Sequence, residues 1–185
     1  MYIHHSKLPD KPINISGIST LIMTSPENHM KLFFLFILFS CLGLLIYALY
    51  LQHVKGLLPC PLCVAQRVVY GLMGLTALLA LIHKPGIFGN RSYCALMSAW
   101  ALLGGIVAAR HAWLIRYPEA FECGISPEEA FLNALPIAQW WPEMFEANGD
   151  CASIDWKFLS LTIPDWSLIA FIGLGGLAFY SLLKK

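Results

Sequence analysis

A chain of 185 residues that is 58% hydrophobic, only 12% charged and of mean hydropathy +0.65 is too apolar for an ordinary water-soluble domain. Its formal net charge of +1 offers no basic field for nucleic acid, and no phosphate-cradling glycine loop is visible. The composition belongs in a bilayer.

Residues 1–30 carry proline, asparagine and serine without a periodic apolar pattern. They predict a disordered cytoplasmic tail, or a stretch upstream of a true start at Met30. Four runs then reach the length of about 20 residues that a hydrocarbon core requires. They lie at about 31–51, 64–82, 92–115 and 166–183. Backbone groups in lipid must be bonded within the segment, so each run is read as a helix. The first lacks a small-residue cleavage motif and is read as a retained span. The expected fold is all-α: an antiparallel four-helix transmembrane bundle over residues 31–183, with external loops at about 52–63 and 116–165.

Lys31, Lys84, Arg91, Lys184 and Lys185 fall at the ends that share one side, which predicts that this side, with both termini, is cytoplasmic. Nine of the eleven acidic residues lie between Glu119 and Asp165, so the long loop is the solvated part. Within it, residues 136–147 mix Trp140, Trp141, Met144 and Phe145 with Glu143 and Glu146, which suits a short interfacial helix. Trp113, Trp140, Trp141, Trp156 and Trp166 fall near the outer interface, as an aromatic belt or a loop anchor, whereas Trp100 lies deep in a span.

The six cysteines divide by surroundings. Cys41 and Cys94 sit inside apolar runs, where cysteine packs as a small hydrophobe. Cys60, Cys63, Cys123 and Cys151 lie at or outside the ends of spans, all on the predicted outer face, and are expected to pair in an oxidising compartment. In Pro59-Cys60-Pro61-Leu62-Cys63 the two thiols stand three residues apart, a spacing whose small, strained disulfide suits electron exchange. A bond between Cys123 and Cys151 would close a loop of about 29 residues, worth roughly 3 to 4 kcal/mol as a staple. Two dithiols on one face also allow electrons to pass between pairs by thiol exchange.

A dithiol that collects electrons needs an acceptor. Cys63 is followed by Val64, so there is no haem attachment motif, and no Gly-x-Gly-x-x-Gly run opens a helix for flavin or nicotinamide. A lipid-soluble quinone is the economical choice. Arg67, one helical turn after Cys63, is placed to favour the Cys63 thiolate and to hydrogen-bond a quinone carbonyl, or else to snorkel to the headgroups. His111, near the outer end of the third span, is a second residue for a quinone oxygen, or an interfacial histidine.

These residues resemble the DsbB family, bacterial membrane oxidases of disulfide formation. Residues 51–67, with Gln52, His53, Cys60, Cys63 and Arg67, resemble its first external loop. Residues 135–166, with Pro142, Phe145, Gly149, Asp150, Cys151, Trp156, Phe158, Leu159, Pro164 and Trp166, resemble its second loop and return. His111 and Pro118 match the exit from the third span. The resemblance implies an inner-membrane thiol:quinone oxidoreductase that reoxidises a DsbA-like periplasmic dithiol protein at the expense of ubiquinone or menaquinone. It further implies that Cys123 forms the mixed disulfide with the partner, that Cys151 passes electrons to Cys60, and that Cys63 faces the quinone beside Arg67 and His111. The polar stretch Gly124-Ile125-Ser126-Pro127-Glu128-Glu129 bears on partner preference and not on chemistry.

Three other readings share some of these features. A vitamin K epoxide reductase-like bundle would run electrons the other way, and the matched loop signatures favour the oxidase. A stapled tetraspan scaffold has no need of Arg67 beside a vicinal pair. A zinc site of the four external cysteines is disfavoured by the wide separation of Cys123 from Cys151 and by an oxidising compartment, so no metal is expected.

Overall fold

In the computed structural model, residues 26–117, 134, 140–145, 147, 149, 151 and 157–183 are described. Four long helices occupy the apolar runs: α1 (Pro26–Lys55), α2 (Pro61–His83), α3 (Ile87–Arg116) and α5 (Ile163–Leu183). Between α3 and α5 the described residues include a helical turn, α4 (Pro142–Phe145), and a hairpin of β1 (Lys157–Phe158) with β2 (Leu161–Thr162). The four long helices are each long and apolar enough to cross a membrane, and the protein is a multi-pass membrane protein. Phe36, Phe39, Leu102 and Ile172 turn outward, as side chains do where lipid is the solvent.

The bundle core repeats at helical spacing on every span. Phe34, Ile37 and Cys41 from α1 meet Val69, Tyr70, Met73, Ala77 and Ala80 from α2. Cys94, Met97, Ala101 and Ala108 from α3 meet Phe171, Leu174 and Ala178 from α5. Cys41 and Cys94 are thus packing residues, as their apolar flanks predict. Small residues set the α3–α5 distance: a Cβ on Gly104 would lie 2.3 Å from the Phe171 ring, and one on Gly175 would lie 2.7 Å from Ala101 Cβ. Phe171 in turn stacks on Tyr70 at a centroid distance of 4.2 Å. Neighbours in sequence pack together, α1 on α2, α2 on α3 and α3 on α5, whereas α1 and α5 share few close contacts and leave a gap that both of them line. That gap positions the site.

Several boundaries differ from the sequence reading. The first span begins at Pro26 and not at residue 31, because proline at the first helical position gives up no hydrogen bond; residues 1–25, the rest of the expected tail, lie outside the described residues. The second begins at Pro61 for the same reason, so Cys63 sits in the first turn of α2 and not in the loop. The third begins at Ile87 after Gly86. The fourth begins at Ile163 because Thr162 and Asp165 cap it: the Thr162 N–H and hydroxyl both donate to Asp165 Oδ2, at 3.0 and 2.7 Å. Of the interfacial helix expected over residues 136–147, the described residues Trp140 and Pro142–Phe145 are helical, Trp140 and Trp141 are exposed, and residues 136–139 and 146 lie outside the described residues. The all-α expectation also omitted the small hairpin, whose turn residues Leu159 and Ser160 have φ of 52° and 65°, the geometry that matches strand twist.

Candidate functional site

A glycine and a proline shape the first external loop. Gly56, at φ 67°, turns the chain away from α1, and Pro61 forces the residue before it into an extended conformation. Cys60 accordingly has φ −83° and ψ 165° as the N-cap of α2, and its carbonyl accepts the first helical bond from Val64 N–H at 3.0 Å. Cys60 is buried at the mouth of the bundle and Cys63 is half-buried within the first turn.

The second loop brings Cys151 to this point through a main-chain contact. Gly149 N–H donates to the Pro59 carbonyl at 3.0 Å. A Cβ at Gly149 would lie 2.3 Å from Leu58 O and 3.0 Å from the Pro59 carbonyl carbon, so no larger residue can approach so closely. Cys151 is then buried against Cys60 and Leu62, within hydrogen-bonding reach of the Cys60 sulfur and of the Leu62 N–H at the start of α2. Cys60 and Cys151 are shifted in opposite directions. Hydrogen bonds to Cys151 and then to Cys63, with burial, push the Cys60 thiol well up, whereas the Cys60 thiol and the Leu62 N–H hold Cys151 below the ordinary thiol range.

His111, on the last turns of α3, occupies the centre of the group. Its Nε2 lies 3.6 Å from Cys60 Sγ and its Nδ1 lies 4.0 Å from Cys63 Sγ. Gln66 Nε2 donates to Nδ1 at 3.3 Å, which leaves the ring proton on Nε2, facing Cys60. His111 and Gln66 are both buried. Gln66 is a site residue that sequence reasoning missed; its signal is its place one turn after Cys63 in an otherwise apolar span.

A cavity of about 400 Å³ opens beside this group, between α1 and α5. Its wall is mostly apolar, from Leu44, Leu45, Leu51, Ile163, Trp166 and Ala170, and its polar end is made by Gln52, Cys63, Gln66 and Arg67. Arg67 is only 7% exposed and does not reach for the headgroups. It donates from Nη1 to Gln52 Oε1 at 2.7 Å and from Nη2 to the Ala48 carbonyl at 3.5 Å, both on α1. Tyr70 adds a hydroxyl at the α5 side, bonded to Ser167 O at 3.2 Å and to Ser167 Oγ at 3.0 Å. His111 reaches the cavity through Cys63 and Gln66 and is not part of its wall. Cys123 lies outside the described residues.

At the base of the long loop, Arg116 at the end of α3 donates to Asp165 Oδ1 at 2.7 Å, while Asp165 Oδ2 caps α5. This clamp joins the helix that carries His111 to the helix that carries Trp166 and Ser167. Trp166 Nε1 also donates to Phe158 O at 3.2 Å, fixing the hairpin over the cavity mouth.

A model of the protein family described as "Disulfide bond formation protein DsbB" matches residues 30–181. "Disulfide bond formation protein B" of Nitrosospira multiformis is 61% identical over 163 residues, covering 88% of this chain and 97% of the relative. The protein of the same name in Nitrosomonas europaea is 64% identical over 143 residues, 77% of this chain and 87% of the relative. "Disulfide bond formation protein B 1" of Pseudomonas aeruginosa is 37% identical over 164 residues, 88% of this chain and 98% of the relative.

Proposed function

The chain belongs to the DsbB family of disulfide bond formation proteins, an oxidoreductase role, and from that premise we propose that it reoxidises a DsbA-like periplasmic dithiol protein and delivers the electrons to a membrane quinone. The observation that carries this reading is the contact of Cys151 with Cys60 on one side of His111, while Cys63, on the other side, faces the apolar cavity. One end of that arrangement suits thiol exchange and the other suits a lipid-soluble acceptor.

The relay follows from the sulfur chemistry. A partner thiolate attacks Cys123 of a Cys123–Cys151 disulfide, and Cys151 leaves as the thiolate. That thiolate, favoured by the Leu62 N–H, attacks Cys60 of a Cys60–Cys63 disulfide, and Cys63 leaves beside His111 Nδ1. The second partner thiol then displaces Cys123, freeing the oxidised partner. Cys123 then attacks Cys151 of the Cys60–Cys151 bond and restores its own disulfide, and the freed Cys60 and Cys63 thiols would return to theirs by giving two electrons and two protons to a bound quinone, which closes the cycle with two electrons transferred per partner oxidised.

The cavity fits a quinone: its volume lies within the range of about 300 to 1,000 Å³ usual for small-ligand sites, its wall is apolar, and its donors gather at one end. When bound, ubiquinone or menaquinone accepts two electrons and two protons. Arg67 and Gln52 would hold a carbonyl oxygen, Tyr70 and Trp166 would confine the ring, and the gap between α1 and α5 would admit the isoprenoid tail from lipid. His111, held by Gln66, would present its Nε2 proton to the Cys60 sulfur as that sulfur changes state. Lys84 and Arg91, at the end of the bundle away from Cys60, support an inner-membrane orientation with the cysteines periplasmic.

The test mixes detergent-purified protein with a reduced DsbA-like protein and a soluble ubiquinone analogue and follows quinone absorbance beside a Cys60→Ser control. Loss of absorbance that requires both the partner and Cys60 is expected. Absence of loss, with quinol driving reduction of a disulfide substrate, would transfer the protein to the reductase class.

A further inference from the structure

The sulfurs and imidazole that serve electron transfer also form the donor set of a soft-metal site. Cys60 Sγ, Cys151 Sγ and one ring nitrogen of His111 lie within 4.8 Å of one another, and all three residues are buried. Around a tetrahedral zinc ion, with Zn–S about 2.3 Å and Zn–N about 2.0 Å, neighbouring donors stand roughly 3.5 to 3.8 Å apart. Cys60 Sγ is already 3.6 Å from His111 Nε2. The remaining approach is about 1 Å at most, and the Gly149–Pro59 bond already holds the two loop backbones together.

The surroundings match what a zinc-bound histidine needs. A ligating imidazole presents one bare nitrogen and donates from the other to a fixed acceptor. Gln66 lies 3.3 Å from Nδ1, and reversal of its amide offers Oε1 to an Nδ1–H while Nε2 turns bare toward the metal. The Leu62 N–H, directed at Cys151 Sγ, moderates the charge of a thiolate ligand. Cys63 does not belong to the set, since it faces the opposite ring nitrogen at 4.0 Å.

We propose that the reduced protein carries a redox-gated Zn²⁺ site formed by Cys60, Cys151 and His111, and that its occupation arrests thiol exchange. Binding forms two Zn–S bonds and one Zn–N bond and releases the two thiol protons to solvent; no electron moves. A disulfide at Cys60 or at Cys151 removes a thiolate and abolishes the site, so zinc competes for the reduced enzyme alone. This departs from the expectation, drawn from cysteine spacing, that no metal is bound: the third ligand comes from a span and not from the loops. The inference is independent of the quinone reading, because binding is measured without quinone or partner.

The experiment titrates ZnCl₂ into the full chain in detergent, reduced with a phosphine and freed of it, against a chromophoric chelator, and repeats the titration with Co²⁺ to record the thiolate charge-transfer band. One metal per reduced chain is expected, and none at this site in the oxidised protein. Cys60→Ser, Cys151→Ser and His111→Ala should each weaken binding by at least about tenfold and dim the cobalt band, and Gln66→Leu should weaken it by about tenfold. Cys63→Ser and Cys123→Ser should bind within about threefold of the parent, and they also show that a serine in a neighbouring position leaves the fold intact. Binding that survives Cys151→Ser but is lost in Cys63→Ser would replace the proposal by a simple vicinal-dithiol chelate. Equal binding by oxidised and reduced protein would overturn it in favour of surface histidines.

Discussion

Gly149 carries no reactive atom, yet its replacement by alanine is expected to disconnect the two cysteine pairs. The new Cβ would meet Leu58 O at 2.3 Å and Leu58 C at 2.9 Å, about 1 Å short of ordinary contact, and both atoms are backbone that cannot rotate aside. The loop must retreat by about that distance, which weakens the Gly149–Pro59 hydrogen bond, worth about 1 kcal/mol, and lifts Cys151 from Cys60. A misplacement of about 1 Å between reacting groups costs about 10²-fold in rate, or about 2.7 kcal/mol of barrier. The assay uses a Cys63→Ser/Cys123→Ser background, in which Cys60 and Cys151 are the cysteines left in the group. Addition of a mild oxidant then forms the Cys60–Cys151 disulfide at a rate that reports their approach. Gly149→Ala should slow that rate by about 10²-fold while leaving the helical circular dichroism unchanged. Gly173→Ala, where a Cβ meets nothing within 4 Å, should not alter it. A rate within about twofold of the parent in Gly149→Ala would refute the claim that this main-chain contact positions Cys151.

Arg67→Met should raise the Michaelis constant for quinone by about tenfold or more, and Arg67→Lys should not restore it, because an ammonium cannot span Gln52 and the Ala48 carbonyl together; unchanged kinetics would return Arg67 to a packing role. Asp165→Ala should lower stability by about 1 to 2 kcal/mol, nearly all from the lost α5 cap, since Arg116 is 54% exposed and its ion pair is screened. A thermal midpoint equal to the parent's would show that Thr162 caps α5 alone. Gly104→Ala should cost about 1 to 3 kcal/mol by driving into the Phe171 ring, with recovery in Gly104→Ala/Phe171→Leu; failure of the second change to help would place the strain elsewhere. Because Cys151 is held below its ordinary range, its thiolate persists to lower pH, so in the reduced protein its alkylation should reach half-maximal rate below about pH 8.5. Cys60→Ala removes the largest cause and should move that midpoint upward; a midpoint that stays put would assign the shift to the Leu62 N–H.

Much of this was legible because membrane helices leave few alternatives. Once backbone hydrogen bonds must close within the segment, four apolar runs are four helices, and the cysteine positions sort themselves into core and surface. The core positions of Cys41 and Cys94 follow from their apolar neighbours alone. Arg67 was legible in register with Cys63, but its partner was not: Gln52 lies on another helix, and no local pattern predicts that pairing. Gln66 is similarly silent in sequence, since one glutamine in an apolar run has meaning only once α3 brings His111 beside it. The helix limits were misjudged where proline or a Thr162–Asp165 cap extends a helix past its apolar run, because hydropathy registers the lipid and not the hydrogen bonds. Gly149 is among the residues that carry the family resemblance, but the reason for the glycine, a carbonyl of the other loop 2.3 Å from where a Cβ would be, exists only in three dimensions.

The distribution of the two chemistries across α2 follows from a single turn of helix. Cys60, as N-cap, projects toward the loops and Cys151; Cys63, three residues on, turns toward the cavity; Gln66 and Arg67 complete the next turn, one toward His111 and the other toward α1. A disulfide between Cys60 and Cys63 therefore bridges the polar mouth and the apolar cavity within one turn of α2. Attack at Cys60 releases charge at Cys63, which lines the cavity together with Arg67. Exchange of the two cysteines' roles would release it toward Cys151 and away from the acceptor. The direction of electron flow in this proposal is thus a property of helical register, and insertion of one residue between Cys60 and Cys63 would rotate Cys63 by about 100° and uncouple the two ends while leaving every reactive group present.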